Sequence, residues 1–90
     1  MANKPWFDIL LAVRKASLDG QRPITAQDVS REAKIRDTEK SSADQIASAW
    51  LGKFLRWGYV VVDGSAKGDR RWIRTYKVTR WGLEFKPSKR

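Results

Sequence analysis

Gly58 separates two segments whose residues favour different backbone conformations, and this boundary constrains the fold more than any other feature of the chain. Before it, residues 43–57 place apolar side chains at helical spacing after a capping box formed by Ser42 and Gln45. After it come an aromatic residue and three valines, which favour a β-strand. Because glycine readily adopts the left-handed conformation that ends many helices, the sequence predicts a helix over 43–57 that leads directly into a strand over 59–63.

The predicted helix over 43–57 has two different faces when its residues are projected at ~100° each. The apolar side, which we expect to face the core, consists of Ala43, Ile46, Ala47, Trp50, Leu51 and Phe54, with Trp57 at its margin. The opposite side carries small or polar residues, namely Gln45, Ser48, Ala49, Gly52 and Arg56. Such a face can approach a nucleic-acid groove, where Gln45 could bond a base edge and Arg56 a phosphate or a guanine. The alternatives are a plain solvated face and, for Gly52, close packing inside the protein.

An earlier apolar pattern predicts a first helix over 3–17. Trp6, Leu10 and Val13 recur at helical spacing, so we expect them to face the core. The apolar residues expected to flank them are Phe7, Leu11 and Leu18. An aspartate and a glycine follow and mark the end of this helix.

A second capping box opens the next helix, because Thr25 precedes Asp28 by three positions. We expect this helix to end near residue 35. Its inner residues are Val29 and Ala33, and its solvated residues are Ser30, Arg31, Glu32 and Lys34. The polar segment 36–41 is longer than the turn of roughly three or four residues that joins many helix pairs. Either this turn is extended or the third helix begins early.

A β-hairpin is predicted after Gly58, with a cationic loop over 64–71 and a returning strand over 72–78. The positive side chains of the loop are Lys67, Arg70 and Arg71. One face of the returning strand carries Trp72, Arg74, Tyr76 and Val78, and the other carries Ile73, Thr75 and Lys77. A cationic hairpin suits contact with a phosphate backbone or a minor groove, and the alternative is an edge hairpin kept soluble by its charge. Thr79 can then cap a short helix over 80–85.

The chain is strongly basic, since 19 Lys and Arg residues against 10 Asp and Glu residues give a net charge of +9. This excess of positive charge favours binding to a polyanionic partner, because each phosphate that the protein neutralises releases its counterions. The alternative is that the charge serves only to keep the protein soluble. The length of 90 residues fits one domain over 1–90, with ends at 1–4 and 86–90 that we expect to be flexible. Five Trp residues indicate that aromatic side chains carry much of the packing.

Several function classes are disfavoured by the residue types that the chain lacks. Neither Cys nor His occurs, which removes disulfides, most zinc sites and the usual general base. The glycine-containing segments lack the context of a phosphate-binding loop. No apolar run reaches the ~20 residues of a membrane span, and no signal-peptide pattern opens the chain. We therefore expect no enzyme activity, metal, cofactor or membrane partner, and a cytoplasmic or nucleoid-associated location.

Two local patterns resemble segments of winged helix-turn-helix domains. One is similar to the signature that ends the recognition helix of many bacterial and archaeal regulators; its residues are Leu51, Phe54, Gly58, Tyr59 and Val60. The other resembles the segment that follows the wing in regulators of the PadR and MarR kinds; it comprises Tyr76, Lys77, Val78, Thr79, Arg80, Trp81 and Gly82. A small archaeal-style chromatin or regulatory protein, or a plasmid or viral regulator, also fits.

The resemblance implies an α+β, mainly α fold, with three helices, a two-stranded β wing and a short C-terminal helix. It also implies binding of double-stranded DNA, usually by a homodimer, with helix 43–57 in the major groove and wing 64–71 on the backbone or minor groove. The long second turn and the lack of a long terminal helix for dimerisation depart from the family pattern.

The candidate DNA-binding residues on the third helix and the hairpin are Gln45, Ser48, Ala49, Gly52, Lys53, Arg56, Lys67, Arg70, Arg71 and Arg74. A transcriptional regulator is the function that this set favours most. An RNA- or ribosome-associated winged-helix protein is an alternative in which exposed aromatic residues such as Trp72 or Tyr76 stack on unpaired bases. The third alternative is a protein interaction module, in which the positive charge has no part in binding the partner.

Overall fold

A computed structural model of the protein describes residues 5–67 and 72–85, which form four helices and one two-stranded antiparallel sheet. The elements in chain order are α1 (Pro5–Ala16), α2 (Ala26–Glu32), α3 (Ala43–Trp57), β1 (Val60–Lys67), β2 (Trp72–Val78) and α4 (Arg80–Glu84). The fold is therefore α+β and mostly helical. The expected ends at 1–4 and 86–90 lie outside the described residues.

The core joins the three larger helices to the base of the hairpin. Its fully buried apolar side chains are Leu10, Val13, Ile24, Val29, Ala47, Leu51, Phe54 and Val60. The inner face predicted for α3 is confirmed at Ala47, Leu51 and Phe54, and Trp57 at the margin is 45% exposed. Of the residues that flank the inner face of α1, Phe7 packs against the core, whereas Leu11 and Leu18 are 43% and 57% exposed.

The first three helices end on a residue with left-handed backbone, and only one of these residues is glycine. Gly58 ends α3 at φ 85° as predicted, whereas Leu18 and Lys34 have φ 52° and 57°. In each case the next residue donates its backbone N–H to the carbonyl five positions earlier in the chain. Tyr59 N, for example, donates to Phe54 O at 2.8 Å. Because Lys34 turns the chain in this way, α2 ends at Glu32 and not near residue 35.

The connection before α3 is an extended turn, which decides between the two possibilities left open by the sequence. Asp37 Oδ1 accepts a hydrogen bond from Ala43 N at 2.7 Å, and Thr38 N donates to Ser41 O at 2.7 Å. Ser30 was expected to be solvated, but its side chain is buried and its hydroxyl donates to Asp44 Oδ1 at 2.8 Å. This contact ties α2 to the first turn of α3.

The hairpin is longer than predicted. Strand β1 continues to Lys67, although a strand over 59–63 followed by a loop was expected. The reason is a β-bulge between Val62 and Gly64, which shifts the register and lets the pairing with β2 continue. Ile24 adds a β-bridge on the other side of β2, with Ile24 N to Tyr76 O and Tyr76 N to Ile24 O both at 2.8 Å. The hairpin is thereby fixed to the start of α2.

Helix α4 is anchored through Thr79, which caps it as predicted, and through Arg14. The Thr79 hydroxyl donates to Gly58 O at 2.6 Å and accepts from Gly82 N at 3.1 Å. Arg14 donates from Nε to Gly82 O at 2.8 Å and from Nη2 to Phe85 O at 2.6 Å. The end of the described chain is thus fastened to both α1 and the junction of α3 with β1.

Aromatic side chains fill the space between α1, α3 and α4. Trp6 lies 5.4 Å from Phe85 and 6.2 Å from Trp57, measured between ring centroids. Tyr59 lies 5.2 Å from Phe85 and 6.0 Å from Phe54. The prediction that aromatic residues carry much of the packing is confirmed for Trp6, Phe54, Tyr59 and Phe85, whereas Trp57 and Trp81 are 45% and 61% exposed.

Candidate nucleic-acid interface

An open groove of about 670 Å³ lies between the first half of α3, the start of α2 and strand β2. Its lining residues are Ala26, Gln27, Ser42, Asp44, Gln45, Ser48, Ile73, Arg74 and Tyr76. It brings together two parts of the chain that the sequence analysis proposed separately, because α3 supplies Gln45 and Ser48 while the hairpin supplies Arg74. We refer to it below as the α3–β2 groove.

Three local structures hold the walls of the α3–β2 groove. The capping boxes predicted for α2 and α3 are both formed, with Thr25 Oγ1 and Ser42 Oγ each accepting a backbone N–H at 3.2 Å. The hydroxyl of Ser30 joins the two helices through Asp44. The bridge between Ile24 and Tyr76 fixes β2 against them. The groove is therefore built on hydrogen-bonded secondary structure on every side.

Gln45 has a structural role that restricts its use in base recognition. Its Oε1 accepts a hydrogen bond from Ser42 N at 2.8 Å, which completes the capping box of α3. A bidentate contact with adenine needs both the oxygen and the nitrogen of a glutamine amide. While the capping box is formed, the amide nitrogen remains to donate into the groove, and the hydroxyl of the exposed Ser48 stands one turn further along the same wall.

Gly52 is exposed on the outer side of α3, two thirds of the way along the helix. A Cβ built on it meets no heavy atom of the described residues within 4 Å, apart from the backbone of its own helix and its chain neighbours. Close packing inside the protein therefore does not account for this glycine. The neighbouring outer residues Ser48, Ala49 and Arg56 are exposed as well, so small side chains leave the middle of this face open to a partner.

Among the described residues, Arg74 is the cation that lines the α3–β2 groove, and three further cations are exposed elsewhere on α3 and β1. Arg74 lies on β2 opposite Ser65, and Lys67 ends β1 opposite Trp72. On α3, Lys53 Nζ lies 4.5 Å from the centre of the Trp50 ring, a cation–π contact that restrains its position, and Arg56 is exposed. Within residues 5–67 and 72–85, none of these four cations forms an ion pair, so their charges are available to a polyanion.

Other cations have internal partners. Lys15 pairs with Glu32 at 3.3 Å and Arg80 with Glu84 at 2.9 Å, and the carboxylate of Glu84 raises the pKa of the Arg80 guanidinium. Arg14 donates hydrogen bonds to the carbonyls of Gly82 and Phe85, and Arg22 Nε donates to Ala16 O at 3.0 Å. These cations have partners within the chain, which separates them from Lys53, Arg56, Lys67 and Arg74.

The structure brings together three of the ten predicted site residues in one groove: Gln45, Ser48 and Arg74. Four others are exposed on α3 outside its lining: Ala49, Gly52, Lys53 and Arg56. Lys67 is exposed at the end of β1, whereas Arg70 and Arg71 lie outside the described residues. The sequence analysis missed Gln27, Asp44 and Ile73, whose participation depends on how α2 and β2 are placed against α3.

Over residues 5–67 and 72–85, acidic side chains form no group of three or more that could hold a metal ion. In the same ranges, no helix combines the length and the apolar character needed to cross a membrane.

Comparisons with protein-family models, with curated proteins and with solved structures gave no match to this chain.

Proposed function

We propose that the chain is a winged-helix protein that binds double-stranded DNA as a transcriptional regulator. Helix α3 would enter the major groove, and the β1–β2 hairpin would act as the wing on the phosphate backbone or in the minor groove. The observation that carries the proposal is the α3–β2 groove, because the small polar face of α3 and the cationic strand β2 form its opposing walls. A duplex can contact both walls at once.

The order and attachment of the elements support this assignment. Three helices precede a two-stranded antiparallel hairpin, and a short helix follows. The bridge from Ile24 to Tyr76 and the bond from Ser30 to Asp44 hold hairpin and helix in a fixed relation. Such preorganisation reduces the ordering that a flexible loop would need on binding.

The charge distribution also favours a nucleic acid. Arg74 is exposed in the groove, and Lys53, Arg56 and Lys67 are exposed on α3 and β1 outside its lining, within a chain whose net charge is +9. Each phosphate that they neutralise releases counterions, which favours association at low salt. The exposed hydroxyl of Ser48 and the amide nitrogen of Gln45 then offer hydrogen bonds to base edges.

Tyr76 is one of the aromatic side chains that the RNA-binding alternative would stack on unpaired bases. Its side chain is only 6% exposed and belongs to the core, so it offers no free face for a base to stack on. We expect duplex DNA to displace a labelled duplex from the protein at a lower concentration than a structured RNA of the same length. Stronger displacement by the RNA would replace the proposal with the RNA-binding alternative.

Replacement of Gly52 by alanine should separate stability from binding. We expect the free energy of unfolding to rise by about 0.5–1 kcal/mol, because alanine favours a helix interior and its Cβ is unobstructed. Affinity for duplex DNA should fall, since the added methyl group lies on the face that approaches the bases. Urea unfolding and fluorescence anisotropy measure the two quantities. A variant that is more stable and binds with unchanged affinity would remove Gly52 from the interface.

Selection of bound sequences from random duplexes tests the regulatory part of the proposal. Enrichment of a defined site is expected if Ser48 and Gln45 read base edges in the major groove. Strong binding without any enrichment would mean that the protein recognises only the phosphate backbone and the shape of the DNA.

A further inference from the structure

Asp44 places a carboxylate in the lining of the α3–β2 groove. It belongs to the first turn of α3 and is exposed, and the cation Arg74 lies in the same lining. Within residues 5–67 and 72–85, neither Asp44 nor Arg74 forms an ion pair. A carboxylate repels the phosphates that the groove is proposed to receive, so a contact with phosphate does not explain Asp44.

Ser30 holds one oxygen of the Asp44 carboxylate. The buried hydroxyl of Ser30 has a single proton and two acceptors within reach, Asp44 Oδ1 at 2.8 Å and Gln27 O at 3.0 Å. The carboxylate is charged and closer, so it receives the proton. Among the described residues, the other oxygen of Asp44, Oδ2, has no hydrogen-bond partner. Because a carboxylate only accepts hydrogen bonds, Asp44 offers the groove an acceptor.

Gln45, the next residue, is held in a similar manner but offers the opposite group. Its Oε1 accepts the hydrogen bond from Ser42 N at 2.8 Å, which leaves the amide nitrogen for a ligand. That nitrogen is a donor, and Gln45 can present its oxygen instead only by giving up the capping box. The start of α3 therefore presents an acceptor and a donor, on consecutive residues that line the same groove.

A C·G base pair has the matching groups in the major groove. It presents the N4 amino group of cytosine, a donor, beside O6 of guanine, an acceptor. An A·T pair also presents an amino group beside a carbonyl, but adenine adds the acceptor N7 next to its amino group, where cytosine has only C5–H. A carboxylate is repelled by N7 of adenine, whereas N7 of guanine gives the donor on Gln45 a second acceptor. The C·G pair is therefore the better fit.

We propose that Asp44 and Gln45 recognise a C·G base pair, with Asp44 accepting from cytosine N4 and Gln45 donating to guanine O6. This rests on the proposed function, because it requires α3 in the major groove of a duplex. Asp44 then selects in two ways, since it binds the amino group of cytosine and repels the acceptor edges of guanine and thymine. Ser30 is a positioning residue that orients the carboxylate.

Replacement of Asp44 by asparagine tests the assignment, because it changes one acceptor into a donor without changing the shape. Oδ1 of the asparagine can still accept from Ser30, so its NH₂ group takes the place of Oδ2. From random duplexes, the wild type should select a cytosine whose exchange for guanine weakens binding at least about tenfold. Asp44→Asn should lose this preference and favour guanine or thymine at that position, with the other positions unchanged.

Asp8→Asn is the matched control. Asp8 is also exposed in the first turn of a helix, and the substitution changes the net charge by the same amount, but Asp8 does not line the α3–β2 groove. We expect Asp8→Asn to select the same sequences as the wild type. The same loss of cytosine preference in both variants would mean that charge and not contact is responsible, and would overturn the assignment.

A modified duplex tests the same contact from the side of the DNA. N4-methylcytosine still pairs with guanine, but a methyl group replaces the amino hydrogen that points into the major groove. Placed at the selected cytosine, it should weaken binding of the wild type at least about tenfold and leave the affinity of Asp44→Asn unchanged. This measurement decides the assignment through the wild-type protein even if Asp44→Asn loses helicity by circular dichroism.

The outcomes separate this assignment from the proposed function. If the wild type binds duplexes but selects no cytosine, or if N4-methylation of the selected cytosine has no effect, the assignment is overturned and DNA binding stands. The same holds if a folded Asp44→Asn protein selects the wild-type sequence. If the wild type binds no duplex at all, the proposed function and the assignment fail together.

Discussion

Replacement of Gly82 by alanine will destabilise the protein by about 3 kcal/mol, which corresponds to roughly 15 °C in melting temperature for a domain of this size. A Cβ at this position would lie 2.3 Å from Tyr59 O and 3.1 Å from Val78 Cγ1. Tyr59 O cannot retreat freely, because it accepts a hydrogen bond from Thr79 N at 2.9 Å. The added methyl group must therefore displace α4 or break the junction between α3 and β1.

Gly52→Ala is the matched control for this experiment. It makes the same chemical change inside a helix, but its Cβ has open space and the expected effect on stability has the opposite sign. Urea or thermal unfolding of both variants beside the wild type measures the difference. A Gly82→Ala protein as stable as the wild type would show that the close approach of α4 to Tyr59 is absent in solution.

Charge reversal at Arg74 will weaken binding to duplex DNA by roughly thirtyfold. The expected loss corresponds to about 2 kcal/mol, the value of one hydrogen bond to a charged group. Arg74 lines the α3–β2 groove, so Arg74→Glu would place a carboxylate where a phosphate is expected. Fluorescence anisotropy with a fixed duplex at constant salt gives the change in dissociation constant.

Lys77→Glu is the control, because Lys77 is exposed on the same strand but does not line the α3–β2 groove. Each substitution lowers the net charge of +9 by two. At physiological salt, exposed charges are screened over about 8 Å, so we expect a loss of about threefold or less at Lys77. Equal losses for the two variants would mean that binding follows net charge and not the groove.

Much of the fold was predictable because its signals are local. Ser42, Gln45 and Gly58 mark the ends of α3, and the observed bounds Ala43–Trp57 match the prediction over 43–57. Thr25 and Thr79 likewise cap their helices as predicted. Each of these side chains acts on backbone groups within a few positions, which is the range over which residue patterns are informative.

The wrong predictions come from contacts between residues that are distant in the chain and from unusual backbone conformations. Lys34 adopts a left-handed conformation that normally favours glycine, so the predicted end of α2 near residue 35 was wrong. The extension of β1 depends on a bulge that pairing with β2 decides. The two hydrogen bonds that Arg14 donates span about seventy positions, and a polar residue on a helix gives no local sign of them.

The candidate site was predictable in its parts but not in its assembly. The outer residues of α3 and the cations of the hairpin follow from periodicity and charge. Their meeting in one groove depends on the bridge at Ile24 and on the bond between Ser30 and Asp44, neither of which has a sequence pattern of its own. The same bonds bring Gln27 to the groove.

The salt dependence of duplex binding tests the proposed function most directly. Six cations are candidates for phosphate contacts: Lys53, Arg56, Lys67, Arg70, Arg71 and Arg74. If all six are engaged, the logarithm of the association constant should fall linearly with the logarithm of salt concentration, with a slope of about −5. Arg74→Glu should make this slope shallower by about one, and Lys77→Glu should leave it unchanged. Absence of binding to any duplex at low salt, or binding that does not respond to salt, would contradict the proposal that this chain is a DNA-binding protein.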